Sequence, residues 1–334
     1  MIVVGDERCG AHLEGIAHPE SPARLRTLLA HLEKVGLLAD RRPARDATRD
    51  ELLLVHPGSY VDLVHAEIER LRSGVPAAYL STGDTVIDAA SWDAGVRAAG
   101  AALTALDVAM NERRAAFAVV RPPGHHAEPR RGMGFCLFNN AGIAARAFVA
   151  RTGGRALVID FDYHHGNGTE ALVGGGVSYI STHASPAYPG TGSGRDNHVD
   201  ADGTLLDFPL GLSYETEGFV ALWRETLRRA CERIRPQLLV VSAGYDFAAG
   251  DPVGDLGVDV GAASAIASYA RAAAEEFCEG RVVFVLEGGY DLGLLAEGVE
   301  QTIRSYDSGE STIGEPKAAA IPAPQREALD RALW

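Results

Sequence analysis

Between Ala156 and Thr169 the chain reads ALVIDFDYHHGNGT, an apolar run that becomes a cluster of groups able to do metal chemistry. Ala156, Leu157, Val158 and Ile159 have the continuous apolar pattern of a buried strand. Alternate residues of a strand share a face. Asp160, Asp162 and His164 are therefore expected to project together at its carboxyl end, where open α/β sheets hold their sites. Gly166-Asn167-Gly168-Thr169 then turns the chain, and Thr169 or a neighbour is placed to open a helix. Two carboxylates and an imidazole are hard and borderline donors that suit a divalent cation, zinc above all. The plainer reading, a polar strand end with a hydrogen-bonded histidine, must bury the same charges without a cation, which is costly.

A second set of reactive groups follows the apolar strand Phe117 to Val120. There the chain reads RPPGHHAEPRRGMGFCLFNNAG, and two prolines and a glycine stiffen the backbone just before His125-His126. Paired histidines on a rigid loop after a strand suit acid–base work. Ser181-Thr182-His183 ends another strand, AGYDFAAGDP follows the strand from Leu238, and Glu287-Gly288-Gly289-Tyr290 follows the strand Val282 to Leu286. Loops that all follow strands converge on one edge of a parallel sheet. The scattered His12, His18, His31, His56 and His65 read as structural or surface residues.

Strands and helices alternate, which predicts an α/β fold with a parallel sheet and helices on both faces. Ser21-Pro22 opens one helix, and Ser91 caps a long alanine-rich one reaching Asn111. Asn139 or Asn140 caps a helix from Ala141 to Ala150. Ser73 to Asp84 reads as a loop. One domain spans residues 1–307, and residues 308–334 form a Pro/Ala-rich segment with a short helix from Gln325 to Trp334. No GxGxxG follows the first strand, so a dinucleotide-binding fold is excluded.

The 334 residues are 46% hydrophobic and carry 31 basic against 45 acidic side chains, a formal charge of −14. That balance argues against a nucleic-acid partner and favours cationic ligands. The four cysteines are far apart without a CxxC, which points to a reducing compartment and no cysteine-built zinc site. No run of about 18 apolar residues exists to span a membrane, and MIVVGDERCG is charged too early for a signal peptide. A cytoplasmic location is expected. No motif fixes the oligomeric state, a homo-oligomer being one option.

RPPGHH, GFCLFNN, DFDYHHGNGT, YPGTG, SAGYDFAAGDP and EGGY, in this order and spacing, resemble the zinc-dependent histone deacetylase family. The likeness runs from Cys9 to Ser305 and is greatest to class II and bacterial members, which include acetylpolyamine amidohydrolases. It implies the single-domain arginase-deacetylase fold with a parallel sheet of about eight strands. It also implies hydrolysis of the linear amide bond of an N-acyl-lysine or a related acylated amine, with one zinc and a structural potassium ion per chain. Matched position by position, Asp162, His164 and Asp251 are the zinc ligands. Asp160, Asp162, His164, Ser181 and Thr182 form the potassium site. His125 and His126 are the catalytic histidines, with Asp160 behind the first and Asn167 behind the second, where class I members carry Asp. A water activated at the zinc attacks the amide, with His126 as general base and Tyr290 polarising the carbonyl. Gly134, Phe135 and Tyr188 wall the acyl-lysine tunnel, Tyr188 replacing the usual Phe, with Gly289 beside Tyr290 and Asp84 at the rim.

Two rival readings leave a trace in the sequence. An arginase-like binuclear manganese hydrolase resembles a D-x-H-x-D pattern, whereas this chain has D-x-D-x-H and no evident ligand set for a second transition metal. A non-catalytic acyl-lysine binding module would not need His126, Asp251 and Tyr290 intact. As for substrate, the family position of one acidic gate of polyamine deacylases falls near Val258. An apolar residue there favours acyl-lysine or another neutral acyl amide, while the negative charge and Asp255 favour a polyamine.

Overall fold

The computed structural model describes residues 1–333; Trp334, the end of the expected terminal helix, lies outside the described residues. The segments IVVG, AFAV, ALVID, LLVVSA and VVFVL are buried at every position, the pattern of strands covered on both faces. The strands are β1 (Ile2–Gly5), β2 (Ala78–Tyr79), β3 (Val86–Ile87), β4 (Ala116–Val119), β5 (Ala156–Asp160), β6 (Val177–Ala184), β7 (His198–Val199), β8 (Thr204–Leu210), β9 (Leu238–Ala243) and β10 (Val282–Leu286). The helices are α1 (Pro22–Lys34), α2 (Arg49–Leu52), α3 (Gly58–Leu71), α4 (Ser91–Asn111), α5 (Asn140–Thr152), α6 (Asn167–Glu170), α7 (Thr216–Ile234), α8 (Ala262–Phe277), α9 (Leu292–Ser308) and α10 (Ala323–Leu333).

One 8-stranded sheet has the order β1-β4-β10-β9-β5-β6-β8-β7. It is parallel except for β7, which runs antiparallel to β8. Register sets the site: β5 pairs Asp160 with Ser242 of β9 on one side and with Ser181 of β6 on the other. The carboxyl ends of β4, β10, β9, β5 and β6 therefore lie side by side, and the five motif-bearing loops leave from them. α4 lies against β1, β4 and β10, while α8 packs on α7 and α9.

Local details differ from expectation in instructive ways. The expected helix opens at a neighbour of Thr169: the single-turn α6 begins at Asn167 with Gly166 as its cap, and Thr169 sits inside it. Ala90, not Ser91, occupies the cap position of α4. The Ser91 hydroxyl instead accepts from Asp88 N at 2.7 Å and donates to the Asp88 carboxylate at 2.7 Å. The stretch read as a loop contains β2, hairpinned with β3. Asn139 caps α5 as expected, accepting from Gly142 N at 2.7 Å. The tail folds back: Leu329 of α10 is buried, Arg229 of α7 pairs with Asp330, and Gln325 donates to Pro209 O of β8.

Gly100 of α4 touches the Arg45–Ala47 segment so closely that a β-carbon there would lie 1.9 Å from Arg45 O. In an open helix Gly→Ala gains roughly 0.5–1 kcal/mol. Here the methyl meets backbone, and overpacking of this kind costs about 1–3 kcal/mol. Gly100→Ala is expected to lower the urea midpoint of unfolding; a higher midpoint would contradict this packing.

Candidate active site

The end of β5 divides its acids between two tasks. Asp160, fully buried, turns away from the other two groups: its Oδ1 accepts from Asp162 N at 3.1 Å, and its Oδ2 meets His125 Nδ1 at 3.0 Å and accepts from Tyr179 OH at 2.9 Å. Asp162 and His164 converge instead on Asp246, three residues beyond β9. The three form a buried group whose donor atoms lie within 4.8 Å of one another. His164 Nδ1 lies 3.3 Å from Asp162 Oδ1 and 2.9 Å from Asp246 Oδ2. Ligand atoms around a tetrahedral zinc stand about 3.3 Å apart, given Zn–N and Zn–O bonds near 2.0–2.1 Å.

Asp251, expected in this set, is not in it. Its Oδ1 accepts from Val253 N and Gly254 N at 2.9 and 3.0 Å, and its Oδ2 from Tyr290 N and Asp291 N at 2.6 and 2.9 Å. Four backbone donors occupy the carboxylate, which clamps the Tyr290 loop to the loop after β9. Sequence reasoning missed Asp246. The available signal was distance from the strand end: Asp162 and Asp246 each follow their strand closely, whereas Asp251 comes eight residues after Ala243.

The electrostatics of the cluster suit a divalent cation. Burial works against a charged His164, yet its contacts with Asp162 and Asp246 outweigh burial and push its pKa up to about 10. Without a cation, two carboxylates hold a proton on the imidazole, and a bound metal takes that proton's place. The spare oxygens are already oriented by main-chain donors: Gly288 N to Asp162 Oδ2 at 2.8 Å and Tyr163 N to Asp246 Oδ1 at 3.0 Å. The donor set therefore fits zinc.

The histidine pair is asymmetric. Burial opposes a charge on His125, but Asp162 and then Asp160 push its pKa up to about 10. His126 is driven well below the ordinary value by burial and by the neighbouring His125 and His164. Its Nδ1 lies 2.9 Å from Asn167 Oδ1, and Asn167 Nδ2 donates to Glu128 Oε1 at 2.7 Å. A carboxylate accepts only from the amide NH₂, which turns Asn167 Oδ1 toward His126. His126 Nδ1 thus carries the hydrogen, and Nε2 is the free acceptor. Glu287 fixes the loop beneath, taking Gly124 N and His125 N at 2.7 and 3.0 Å; burial pushes its carboxyl up to about 7.

A cavity of about 530 Å³ opens onto His126 and His164. Gly134, Phe135, Tyr188 and Tyr290 wall it, with Leu212 and Val253, two wall residues the sequence did not single out. Phe135 holds φ +68°, a conformation that residues with a β-carbon seldom adopt. Asp84 lines the same cavity but is engaged: it accepts from Gly134 N at 2.8 Å and from Tyr188 OH at 3.0 Å. Val258 is fully buried in the core, so its apolar character does not describe a gate. Ser181 Oγ meets His183 Nδ1 at 2.9 Å, and Thr182 Oγ1 accepts from Trp223 Nε1 at 3.1 Å. The structure also assembles what the sequence lacked, a second His/Asp group made of His165, His183 and Asp207.

Under the Tyr290 loop lies a network of which the motifs signalled one member, Arg121 of RPPGHH. Arg24 donates to Gly289 O and Glu287 O, both at 2.6 Å, and its guanidinium sits 4.9 Å from the Tyr290 ring centre. Glu20 holds Arg24 at 3.0 Å and Arg121 at 2.5 and 2.8 Å.

Residues 18–306 match the histone deacetylase domain family. The chain is 35% identical to histone deacetylase 10, chloroplastic, of Oryza sativa subsp. japonica, over 91% of this chain and 71% of that protein. It is 36% identical to a histone deacetylase-like amidohydrolase of Pseudomonas aeruginosa, over 82% and 72%. It is 33% identical to a probable deacetylase of Archaeoglobus fulgidus, over 87% and 81%. The crystal structure of the HDA15 HD domain superposes with a TM-score of 0.83 at 32% identity, covering 99% of this chain and 98% of that one. The fold is that of a deacetylase-type hydrolase, and the chain belongs to the histone deacetylase family. Of its described residues, no helix is long and apolar enough to cross a membrane.

Burial alone would raise the Glu20 carboxyl above its ordinary 4.5, but Arg121 and Arg24 bring it down to about 2. A depressed carboxylate stabilises the fold above the unfolded pKa, and the contribution fades as pH falls from 4.5 toward 2. Glu20→Gln leaves two buried guanidinium groups without their counter-charge and is expected to lose about 3–5 kcal/mol at neutral pH. The loss should shrink in the acid limb, as read from urea midpoints at neutral and acid pH.

Proposed function

We propose that this protein is a zinc-dependent amidohydrolase that removes acyl groups from N-acyl-lysine or a related acylated amine. The observation that carries the reading is the fixed tautomer of His126, whose Nε2 is free to accept a proton beside the Asp162, His164 and Asp246 cluster. In this reading Asp162, His164 and Asp246 hold the zinc. When bound, zinc polarises the substrate carbonyl and eases the deprotonation of water.

The chain's own residues do the rest. His126 Nε2 takes a proton from the attacking water as its oxygen bonds to the carbonyl carbon. His125, kept cationic by Asp162 and Asp160, supplies positive charge beside the reacting groups. Tyr290 donates its hydroxyl to the oxygen on which negative charge develops, and burial, which keeps its pKa raised, holds that proton in place. As the carbon–nitrogen bond breaks, a proton returns from an imidazolium to the amine, leaving a carboxylic acid and a free amine. Phe135 and Tyr188 wall the passage for an aliphatic chain.

Among the described residues Asp84 is the one carboxylate of the cavity lining, and Gly134 and Tyr188 already engage it. That supports acyl-lysine or a neutral acyl amide over a polyamine. In the same reading a potassium ion would sit among oxygens of Asp160, Asp162, His164, Ser181 and Thr182; the pairing of Asp160 with Ser181 supports it. Four free, buried thiols support a reducing compartment such as the cytoplasm.

Asp246→Ala is expected to lose zinc and activity together. Asp251→Asn is expected to keep its zinc while slowing turnover, because it loosens the Tyr290 loop; metal content per chain separates the two. Retention of zinc by Asp246→Ala would overturn the ligand assignment. Tyr290→Phe deletes only a hydroxyl. It is expected to lower kcat by about 10²–10³, with KM changed far less and zinc content unchanged. Rates on acetyl-lysine peptide and acetylputrescine, with and without chelator, test both the reaction and the substrate class.

A further inference from the structure

We infer that the chain holds a second, non-catalytic site for a zinc-class divalent cation, built from His165, Asp207 and Glu170 with His183 beside them. His165 follows His164 in sequence but belongs to a different group. His165, His183 and Asp207 form their own buried group with donor atoms within 4.8 Å. His165 Nε2 lies 3.3 Å from Asp207 Oδ1 and 3.2 Å from Glu170 Oε2. Those are the ligand-to-ligand spacings of a tetrahedral zinc, about 3.3 Å for bonds near 2.0–2.1 Å.

The decisive point is that the two central atoms are orphans. His165 and Asp207 are 1% and 2% exposed, yet neither His165 Nε2 nor Asp207 Oδ1 has a hydrogen-bond partner among the described residues. At contact distance, two complementary groups that point at each other would make a hydrogen bond. Groups that aim at a common point between them leave a gap for an ion. An orphaned buried imidazole nitrogen and carboxylate oxygen are costly, and a cation satisfies both at once.

The other ring nitrogen of His165 is already fixed by Thr191 Oγ1 at 2.7 Å, the outer contact that orients a metal-binding imidazole. His183 has its nitrogens on Ser181 Oγ and on Gly192 O, at 2.9 and 2.7 Å. Gly192 belongs to a segment in which Gly190, Gly192 and Gly194 all hold positive φ, and moving its carbonyl aside would free His183 as a fourth donor. Glu170 and Thr191 also line an open cavity of about 460 Å³ with Glu128, His198, Asp200 and Asp202. Its acidic lining concentrates cations at the entrance. An ion at this point would tie the sheet to the segment that carries Tyr188, one wall of the substrate cavity.

The test counts metal in the intact protein. Wild-type protein is saturated with zinc, freed of loose metal by gel filtration, and its zinc per chain measured. Two equivalents are expected in wild type, and one in Asp207→Asn. Glu170→Gln, at the open edge of the site and harmless to the core, is expected to release the second equivalent to a weak chelator that wild type resists. A single equivalent in wild type overturns the proposal, as does a second equivalent retained by both variants, which places that zinc elsewhere on the surface. Asp246→Ala provides the separation from the catalytic reading. If it keeps two equivalents while Asp207→Asn keeps one, the catalytic ligand set is wrong and this site stands.

Discussion

A buried carboxylate that must stay ionised sets the terms for the rest of the molecule. Asp162 is 1% exposed, and burial alone would protonate it; instead His125 and His164 hold its pKa far below the ordinary range. That charge is sustained by bringing positive and hydrogen-bonding partners from three strands: His164 N after β5, Gly288 N after β10 and His125 after β4. The central strands therefore have to end level with one another, and the fully apolar segments of the sheet supply the rigid pairing that lets them. Gly244 shows how little room is left, since a β-carbon there would fall 1.9 Å from Asp162 Oδ2.

Much of this frame was legible in the sequence because apolar runs bounded by turn residues mark buried strands, and each reactive motif directly follows one. Strand alternation was a poorer guide. β5 ends at Asp160, so Asp160, Asp162 and His164 do not continue one pleat, and Asp160 turns to His125 while the other two turn to Asp246. Periodicity gives a face but not a depth, and in AGYDFAAGDP only the distance from the strand end separates Asp246, which reaches across to a neighbouring strand, from Asp251. That reach depends on the pairing of Asp160 with Ser242, a contact between segments some eighty residues apart. The same holds for His165, His183 and Asp207, on separate segments, and for Glu20, Arg24 and Arg121, of which only Arg121 lies in a motif, RPPGHH.

Buried polar groups here come in linked sets, and the sets explain one another. Glu20 neutralises two guanidinium groups; one of them, Arg24, holds the carbonyls of Glu287 and Gly289. Asp251 holds the amides of Tyr290 and Asp291 from the opposite side. Tyr290 is thus positioned by main-chain contacts on both flanks, not by its own hydroxyl, and that hydroxyl is left for a substrate.

The pairing of His125 with a carboxylate and His126 with an amide is the feature on which the chemistry turns. Both rings are buried and adjacent, at 4.0 Å between centres, so they cannot readily both carry a charge. Asp162 and Asp160 together assign that charge to His125. An aspartate in place of Asn167 would orient His126 equally well but would also favour its protonation, and the pair would then compete for one proton with no acceptor facing the cavity. Asn167 orients without charging. Through Glu128 its amide is fixed so that the hydrogen stays on Nδ1, away from the substrate. A metal bound at Asp162, His164 and Asp246 would lower the proton affinity of both rings and draw Asp162 away from His125; what still separates the rings is what stands behind each, a carboxylate for His125 and an amide for His126.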